Sequence, residues 1–417
     1  MDMNKIYKQP MDLPKGAWKV VFLLFFVGCL SYLDRTMITT MRGSIIAAVP
    51  MSNAQFGLLS SVFLWVYGIC SPFAGYLADR FKRSVVIISS LFLWSLVTFL
   101  TAYAASFEQL LFCRALLGAC EACYVPAAMA LIVDYHKGPT RSRATGLQVS
   151  SFLVGQSFGF LGGWIAEKYT WNASFSIFGL TGIVYAILLL PLLKDLPKIR
   201  TLASSVRSDI SLPRAMRSLF SNSSYVLLIL IWGMLYIVGW VIIGWMPSYY
   251  QEHFKLSQGL AGLYATGYIY PLSILGVIAG GVLTDYWFKS NRNAPMLLPV
   301  IGLCIAAPAI FFASSSNALP VAIALFMLYA FTRAFSDVNI MPILCLTADE
   351  KYRATGFGIL NFFACMIGGL GLYYGGVLKD MKMDLGMLFQ FTAMLLIVTI
   401  ALLLLITRLQ KVTPSQR

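Results

Sequence analysis

Twelve apolar segments follow one another along this 417-residue chain, each about as long as a membrane-spanning helix. A helix needs about 20 apolar residues to cross the hydrocarbon core of a bilayer. We place the segments at 17–40, 54–78, 84–106, 108–134, 143–166, 172–193, 225–250, 258–284, 294–314, 318–346, 353–376 and 385–407. Only 12% of the residues are charged, about half the share in soluble domains. The sequence therefore predicts an all-α membrane protein with twelve transmembrane helices.

The net charge of +14 follows the membrane topology rather than a nucleic-acid site. Five basic residues fall on one side of the predicted spans: Arg42, Lys168, Lys255, Lys379 and Lys382. Three more lie within spans, and the other 23 lie on the opposite side with both termini. Basic residues concentrate on the cytoplasmic side of membrane proteins. We therefore expect a multi-pass protein of the lipid bilayer with both termini cytoplasmic and no nucleic-acid partner. The short loops favour a bacterial inner membrane, and we expect a monomer.

Two sequence patterns recur at nearly the same spacing and indicate duplicated halves. The tetrad Arg-Ala-Thr-Gly begins at Arg143 and again at Arg353, 210 residues later. A Gly-x-x-x-Asp pattern ends at Asp79 and again at Asp285, 206 residues later. A basic polar stretch divides the twelve segments six and six. We predict an N-terminal six-helix bundle (1–193), a cytoplasmic basic linker (194–224) and a C-terminal six-helix bundle (225–417).

Such parallel six-helix repeats with a central basic loop resemble the major facilitator superfamily. The stretch 75–83, G-Y-L-A-D-R-F-K-R, is similar to that superfamily's signature between spans 2 and 3, with Lys82 where the family usually has Gly. An ordinary basic loop is the alternative interpretation. The resemblance implies that charged residues at these positions gate the cytoplasmic side: Asp79, Arg80, Arg83 and Arg143 in the first half, and Asp285 and Arg353 in the second.

Six ionisable residues lie inside predicted spans, where charge is costly and commonly functional. They are Asp34, Arg35, Arg114, Glu121, Arg333 and Asp337. Adjacent helical residues point about 100° apart, so Asp34 and Arg35 need at least one partner elsewhere, and span 4 offers candidates. There Arg114 and Glu121 share one helical face. A guanidinium binds a carboxylate through two hydrogen bonds, and a poorly hydrated carboxylate can carry a proton. This face predicts an anion receptor beside a proton carrier, with structural pairing as the alternative.

Two motifs around these charges are similar to the anion:cation symporter family. They are Tyr-Leu-Asp-Arg at 32–35 and R-A-L-L-G-A-C-E-A-C-Y-V-P at 114–126. That family includes bacterial galactonate, glucarate and hexuronate carriers, phthalate-type permeases, and eukaryotic sialic acid and vesicular glutamate transporters. The resemblance implies that Asp34 and Glu121 carry protons and that Arg35 and Arg114 bind an organic anion. It also implies a substrate contact at Tyr67.

The second half carries a charged pair that the family motifs do not cover. Arg333 and Asp337 are four residues apart and can pair on one face of span 10. A structural or gating pair and a substrate contact both stay open. Gln156 in span 5 and Asn361 in span 11 are uncharged polar residues that either bind hydroxyl groups of a sugar acid or bridge helices.

These patterns favour a secondary active transporter that moves a small organic anion with protons by alternating access. A sugar acid such as a hexuronate, an aldonate or sialic acid fits the family resemblance. Exchange of organic anions or sugar phosphates, and transport of a neutral sugar or drug, are the alternatives. No H-E-x-x-H or phosphate-loop motif occurs, so we do not expect an enzyme. Cys120 and Cys123 lie among small residues typical of helix packing, and we expect no cofactor or metal.

Overall fold

The computed structural model describes residues 13–136, 140–196 and 212–412. Within those ranges, twelve helical segments have the length and hydropathy of a membrane span, which confirms the predicted number. We number them spans 1 to 12. Their helices are Ala17–Thr40, Asn53–Arg80, Arg83–Thr101, Phe107–Ala122 with Tyr124–Tyr135, Arg141–Ser157 with Phe160–Lys168, Trp171–Leu192, Ser223–His253, Gln258–Gly262 with Ile269–Phe288, Ala294–Ser315, Leu319–Thr347, Arg353–Asp380 and Leu385–Val412. Short helices Arg42–Ala48 and Leu212–Phe220 lie between spans.

Three spans are interrupted along their length. Span 4 breaks at Cys123, two residues after Glu121. Proline at position 126 has no N–H to donate to the carbonyl four residues earlier, which explains this break. Span 5 breaks at residues 158–159, and span 8 contains the π-helical turn Leu263–Gly267. Such π turns frequently mark functional sites in helical proteins.

Several predicted span ends differ from the structure by up to five residues, including those of spans 3, 11 and 12. The helix of span 3 ends at Thr101 rather than near residue 106. The reason is that Ser106 starts the next helix, because its hydroxyl accepts a hydrogen bond from the N–H of Gln109. The predicted linker 194–224 lies partly outside the described residues, and its described part contains the helix Leu212–Phe220. Span 7 then begins at Ser223.

The same pairs of spans pack together in both halves. In the first half, span 1 packs on span 5, span 2 on span 4, and span 3 on span 6. In the second half, span 7 packs on span 11, span 8 on span 10, and span 9 on span 12. Between the halves, span 2 packs on span 11 and span 5 on span 8. Adding six to each number in the first half gives its counterpart in the second, and exchanging the halves turns the contact of spans 2 and 11 into that of spans 8 and 5. The fold therefore consists of two pseudo-symmetric six-helix halves.

Two close helix contacts require glycine. A Cβ atom on Gly155 of span 5 would lie 2.2 Å from the carbonyl oxygen of Cys29 on span 1. A Cβ atom on Gly376 of span 11 would lie 2.2 Å from the carbonyl oxygen of Asn53 on span 2. Small residues allow transmembrane helices to approach closely, so that backbone atoms pack directly. The first contact holds one half together, and the second joins the two halves.

We expect Gly155→Ala to lower the free energy of unfolding in detergent by about 1–3 kcal/mol, because the added methyl group forces spans 1 and 5 apart. Gly146→Ala on the same helix is the matched control, since nothing lies within 4 Å of a Cβ atom there. The control should be neutral or stabilising by up to about 1 kcal/mol, as alanine is the better helix former. Thermal unfolding of both variants measures the difference, and equal stabilities would contradict the proposed packing.

Candidate functional site

The bundle has two distinct ends. One end carries the start of span 1, the end of span 12 and the loops after even-numbered spans, and we call it the terminal end. The other carries the loops after odd-numbered spans, and we call it the opposite end. The predicted functional residues fall into three groups: the charges at half depth, the loop residues at the terminal end, and two uncharged amides.

A buried ion pair joins spans 1 and 4 at half depth. The Nε atom of Arg35 donates a hydrogen bond to a carboxylate oxygen of Glu121 at 2.9 Å, and the two side chains are 4% and 0% exposed. Glu121 is the middle residue of the 29-residue span Phe107–Tyr135. Arg35 thus finds its partner on span 4, as expected. A charge pair this deep is stable only when each member keeps its partner.

Asp34 and Arg114 lie beside this pair and are also buried. The hydroxyl of Thr98 donates to a carboxylate oxygen of Asp34 at 3.2 Å. The Nη1 atom of Arg114 is 3.5 Å from the backbone carbonyl oxygen of Asp34. Within the described residues, the second Asp34 carboxylate oxygen and the Arg114 Nε atom have no hydrogen-bond partner. The cluster therefore retains donor and acceptor capacity for a ligand. Sequence reasoning missed Thr98, because a threonine in an apolar helix resembles a packing residue.

Aromatic rings surround both guanidinium groups. The Arg35 Cζ atom lies 4.3 Å from the ring centroid of Tyr32 and 4.5 Å from that of Tyr67. Phe63 lies 5.1 Å from Arg35 and 5.0 Å from Arg114, between the two arginines. A cation over an aromatic face gains about 0.5–2 kcal/mol, more when it is desolvated. The rings therefore replace part of the hydration that the buried arginines lose. Phe63 was missed, since one phenylalanine among many apolar residues carries no signal.

The charged pair of the second half occupies the corresponding depth. Arg333 is the middle residue of the 29-residue span Leu319–Thr347, the position that Glu121 has in span 4. Its Nη1 atom donates to Asp337 at 2.8 Å, and its Nη2 atom donates to the carbonyl oxygen of Leu235 at 3.1 Å. The two side chains are 18% and 34% exposed. The predicted pair thus forms, and it is much more accessible than the pair in the first half.

The two uncharged amides lie on spans 5 and 11, which carry none of these paired charges. Gln156 is buried on span 5, just before the break in that span. Asn361 is half-buried on span 11. Their expected contacts with substrate hydroxyl groups stay predictions.

Loop charges at the terminal end make contacts within their own half. Arg83 forms an ion pair with Asp134 at the end of span 4, a partner that sequence reasoning missed. Arg80 donates to the hydroxyl of Tyr76 at 2.7 Å. Arg353 donates to the backbone carbonyl of residue 345 at 3.0 Å. Two further residues, Arg143 and Asp285, are exposed, and the side chain of Asp79 lies outside the described residues. The gating role of these six residues stays a prediction.

The opposite end is closed by side chains from both halves. Glu252 at the end of span 7 accepts from Arg42 at 3.3 Å and from Lys379 at 2.5 Å. The carboxylate of Asp380 on span 11 accepts from the backbone N–H of Asn53 at 2.9 Å and from the next N–H at 2.8 Å. The second half therefore caps the start of span 2 in the first half, where free N–H groups favour an anion. Sequence reasoning missed this network, because its partners are 127 to 327 residues apart.

Comparison with known proteins identifies the family. Residues 24–372 match the sequence profile of the Major Facilitator Superfamily. The chain belongs to this superfamily. A member of this superfamily with twelve membrane-length helices is a multi-pass membrane transporter and not an enzyme.

Several known proteins are similar to the chain. It is 27% identical over 305 residues to the protein spinster of Drosophila melanogaster, across 70% of the chain and 50% of spinster, so it spans about half that relative. It is 24% identical over 379 residues to the probable galactarate/D-glucarate transporter GarP of Escherichia coli (strain K12), across 82% and 84%. It is 24% identical over 383 residues to the hexuronate transporter of Bacillus subtilis (strain 168), across 88% and 89%.

A solved structure has the same fold. A bacterial homolog of the human lysosomal transporter Spinster, in an inward-facing and occupied conformation, superposes with a TM-score of 0.82. The two chains are 21% identical, and the match covers 97% of this chain and 100% of the other. At this identity the likeness establishes the fold alone.

We expect Glu121→Met to destabilise the transporter by about 3–5 kcal/mol, because it leaves Arg35 charged and unpaired in a dry site. Adding Arg35→Met should restore most of that loss, since an apolar pair needs no compensating charge. Thermal unfolding of the two single variants and the double variant in detergent measures the coupling. A double variant whose loss equals the sum of the single losses would show that the two side chains do not interact.

Proposed function

We propose that the transporter carries a small organic anion together with protons. A sugar acid such as a hexuronate, an aldonate or sialic acid is the substrate class that we favour. The observation that carries the proposal is the dry ion pair between Arg35 and Glu121. Relatives that transport galactarate, D-glucarate and hexuronate support the choice of sugar acids.

The pair provides a direct way to couple the two ions. While Glu121 is ionised, it neutralises Arg35 and accepts from its Nε atom, so a substrate carboxylate must compete with Glu121 for this guanidinium. When Glu121 takes up a proton, its attraction for the guanidinium falls, and a substrate carboxylate can replace it on Arg35. The buried charge stays balanced in both states, which keeps the cost of burial low. Loss of the proton then returns Arg35 to Glu121 and expels the anion.

The neighbouring residues extend this mechanism. Arg114 has a free Nε donor in the same cluster and adds a second positive charge for the anion. Asp34 has a free carboxylate oxygen and provides a second proton site. Tyr67 lies over Arg35 and shapes the space that the substrate enters. Gln156 on span 5 and Asn361 on span 11 are candidates for hydroxyl recognition.

The contacts between the halves support alternating access. The opposite end is sealed by the network around Glu252 and Asp380. Nothing lies within 4 Å of a Cβ atom on Gly75 of span 2 or Gly358 of span 11 at the terminal end. The excess of basic residues at the terminal end favours a cytoplasmic location. We therefore interpret this structure as an inward-open state of an inner-membrane protein, with the predicted loop residues closing the terminal end in the other state.

A lipid-like acid is a second candidate, favoured by one surface feature. An apolar crevice of about 470 Å³ lies between spans 1, 5 and 6, and its walls include Phe26, Leu30 and Phe158. It reaches Leu33, the residue before Asp34. An alkyl tail in this crevice would place an acidic head group close to the buried cluster.

Uptake into proteoliposomes with an inward proton gradient tests the proposal. We expect accumulation of one of the sugar acids and none of the matching neutral sugar. Glu121→Gln keeps a hydrogen-bond acceptor for Arg35 but cannot ionise. Gradient-driven uptake should therefore fall at least about tenfold, which corresponds to an increase of ~1.4 kcal/mol in the activation free energy of transport. Glu108→Gln, an exposed carboxylate on the same span, should behave like the wild type.

Each other outcome points to a different function. Uptake of a neutral sugar would refute the anion proposal, as would accumulation of long-chain acids alone, which would favour the lipid-like candidate. Acid exchange that ignores both the gradient and Glu121→Gln would indicate an exchanger. Asp34→Asn tests the second proton site in the same assay.

We expect Gly376→Trp to hold the opposite end open, because the indole cannot fit against the backbone at Asn53. Ser61 is fully buried at this interface, where its hydroxyl donates to the carbonyl of Gly369. In a background without the eight native cysteines, a maleimide should label Ser61→Cys faster when Gly376→Trp is present. Gly358→Trp on the same span is the control and should not raise labelling. Equal rates in both variants would argue against closure at this contact.

A further inference from the structure

The Arg333–Asp337 pair faces the interior of the protein. A Cβ atom on Gly239 of span 7 would lie 2.9 Å from the Arg333 Nη2 atom, so the guanidinium packs directly against that span. Tyr236, one turn earlier on span 7, is an electrostatic neighbour of Asp337 and of Tyr67 in the first half. Tyr236 also packs against the buried cluster that contains Tyr67. One tyrosine therefore links the two charged sites across the interface between the halves.

The pair offers hydrogen-bond acceptors but few free donors. The Nη1 and Nη2 atoms of Arg333 are engaged by Asp337 and by the carbonyl oxygen of Leu235. A carboxylate can accept about four hydrogen bonds, and Asp337 is 34% exposed. By contrast, Asp34 and Glu121 are almost completely buried. Asp337 is thus the most accessible of these three carboxylates at bilayer depth to a solute between the halves.

We infer that Asp337 determines which sugar acids the transporter accepts, by selecting polyhydroxy monocarboxylates over dicarboxylates. This inference rests on the proposed function, in which Arg35 and Arg114 bind one carboxylate. Asp337 accepts hydrogen bonds from hydroxyl groups at the far end of the same molecule. Because it also occupies Arg333, no free cation remains there for a second carboxylate.

Charge repulsion gives this arrangement its selectivity. A dicarboxylate would bring its second anionic group next to Asp337, and like charges at close range are unfavourable in a partly dry site. A hydroxyl group donates to the same oxygen atoms without that repulsion. Removing the Asp337 charge shifts the preference toward dicarboxylates, because Arg333 is then free to bind the second carboxylate through charge-assisted hydrogen bonds.

Competition binding on the purified transporter without a proton gradient tests the inference. The probes are a hexuronate and an aldonate against the corresponding aldarate, which has a carboxylate at both ends. We expect the wild type to prefer the monocarboxylates. Asp337→Asn should shift the preference toward the aldarate by about tenfold or more, the effect of one charge-assisted hydrogen bond. Arg333→Gln combined with Asp337→Asn should lose this gain, since no free cation remains.

The remaining outcomes separate the inference from the proposed function. If Asp337→Asn weakens all acids equally, or leaves the preference unchanged, the pair is structural and the inference is wrong. If Asp337→Asn does not fold, the variant that combines it with Arg333→Gln is tested instead. If that double variant distinguishes the hexuronate from its deoxy analogue as well as the wild type does, the role of Asp337 is refuted. If the wild type binds no sugar acid at all, the proposed function itself fails. Glu108→Gln is the control for removal of an unrelated carboxylate.

Discussion

The ion pair between Arg35 and Glu121 determines much of the architecture of the first half. Two opposite charges at the middle of a bilayer are stable only if they meet closely and stay out of contact with lipid. Spans 1 and 4 must therefore lie side by side at this depth, with aromatic rings against the guanidinium. Glu121 also lies next to the break in span 4. The ion pair thus lies next to an interruption of the regular helix.

The two halves share a fold but use the middle of corresponding spans differently. Span 4 has a glutamate at its centre, which is buried and forms an ion pair with an arginine of span 1. Span 10 has an arginine at its centre, which is paired within its own helix and accessible. Duplication reproduces the packing of helices, because that depends on small residues and apolar surfaces. It does not reproduce the charges, so the two halves present different ionisable groups at the same depth.

The two ends of the bundle also differ in the contacts that the two halves make with each other. Side chains from both halves meet at the opposite end, where Asp380 caps span 2 and Glu252 holds two basic residues. These contacts are polar and at the rim, so each contributes little and can be exchanged for water at low cost. The close glycine contacts between spans 2 and 11 lie directly beneath them. A seal built from many weak contacts is compatible with the opening and closing that the proposed transport cycle requires.

The sequence by itself determined the class of the fold, the number of spans and the two-half organisation. These depend on segment length, apolar composition and repetition, which are local or periodic properties of a chain. It also identified all six charges at bilayer depth, because charge is rare there and therefore conspicuous. Only the tertiary structure decided which charges meet: Arg35 with Glu121 rather than Arg114 with Glu121, and Arg83 with Asp134. Thr98, Phe63 and Asp380 belong to residue types that carry no signal in the sequence, and they matter only because of neighbours distant in sequence. Which side chains meet over such distances depends on how the helices pack.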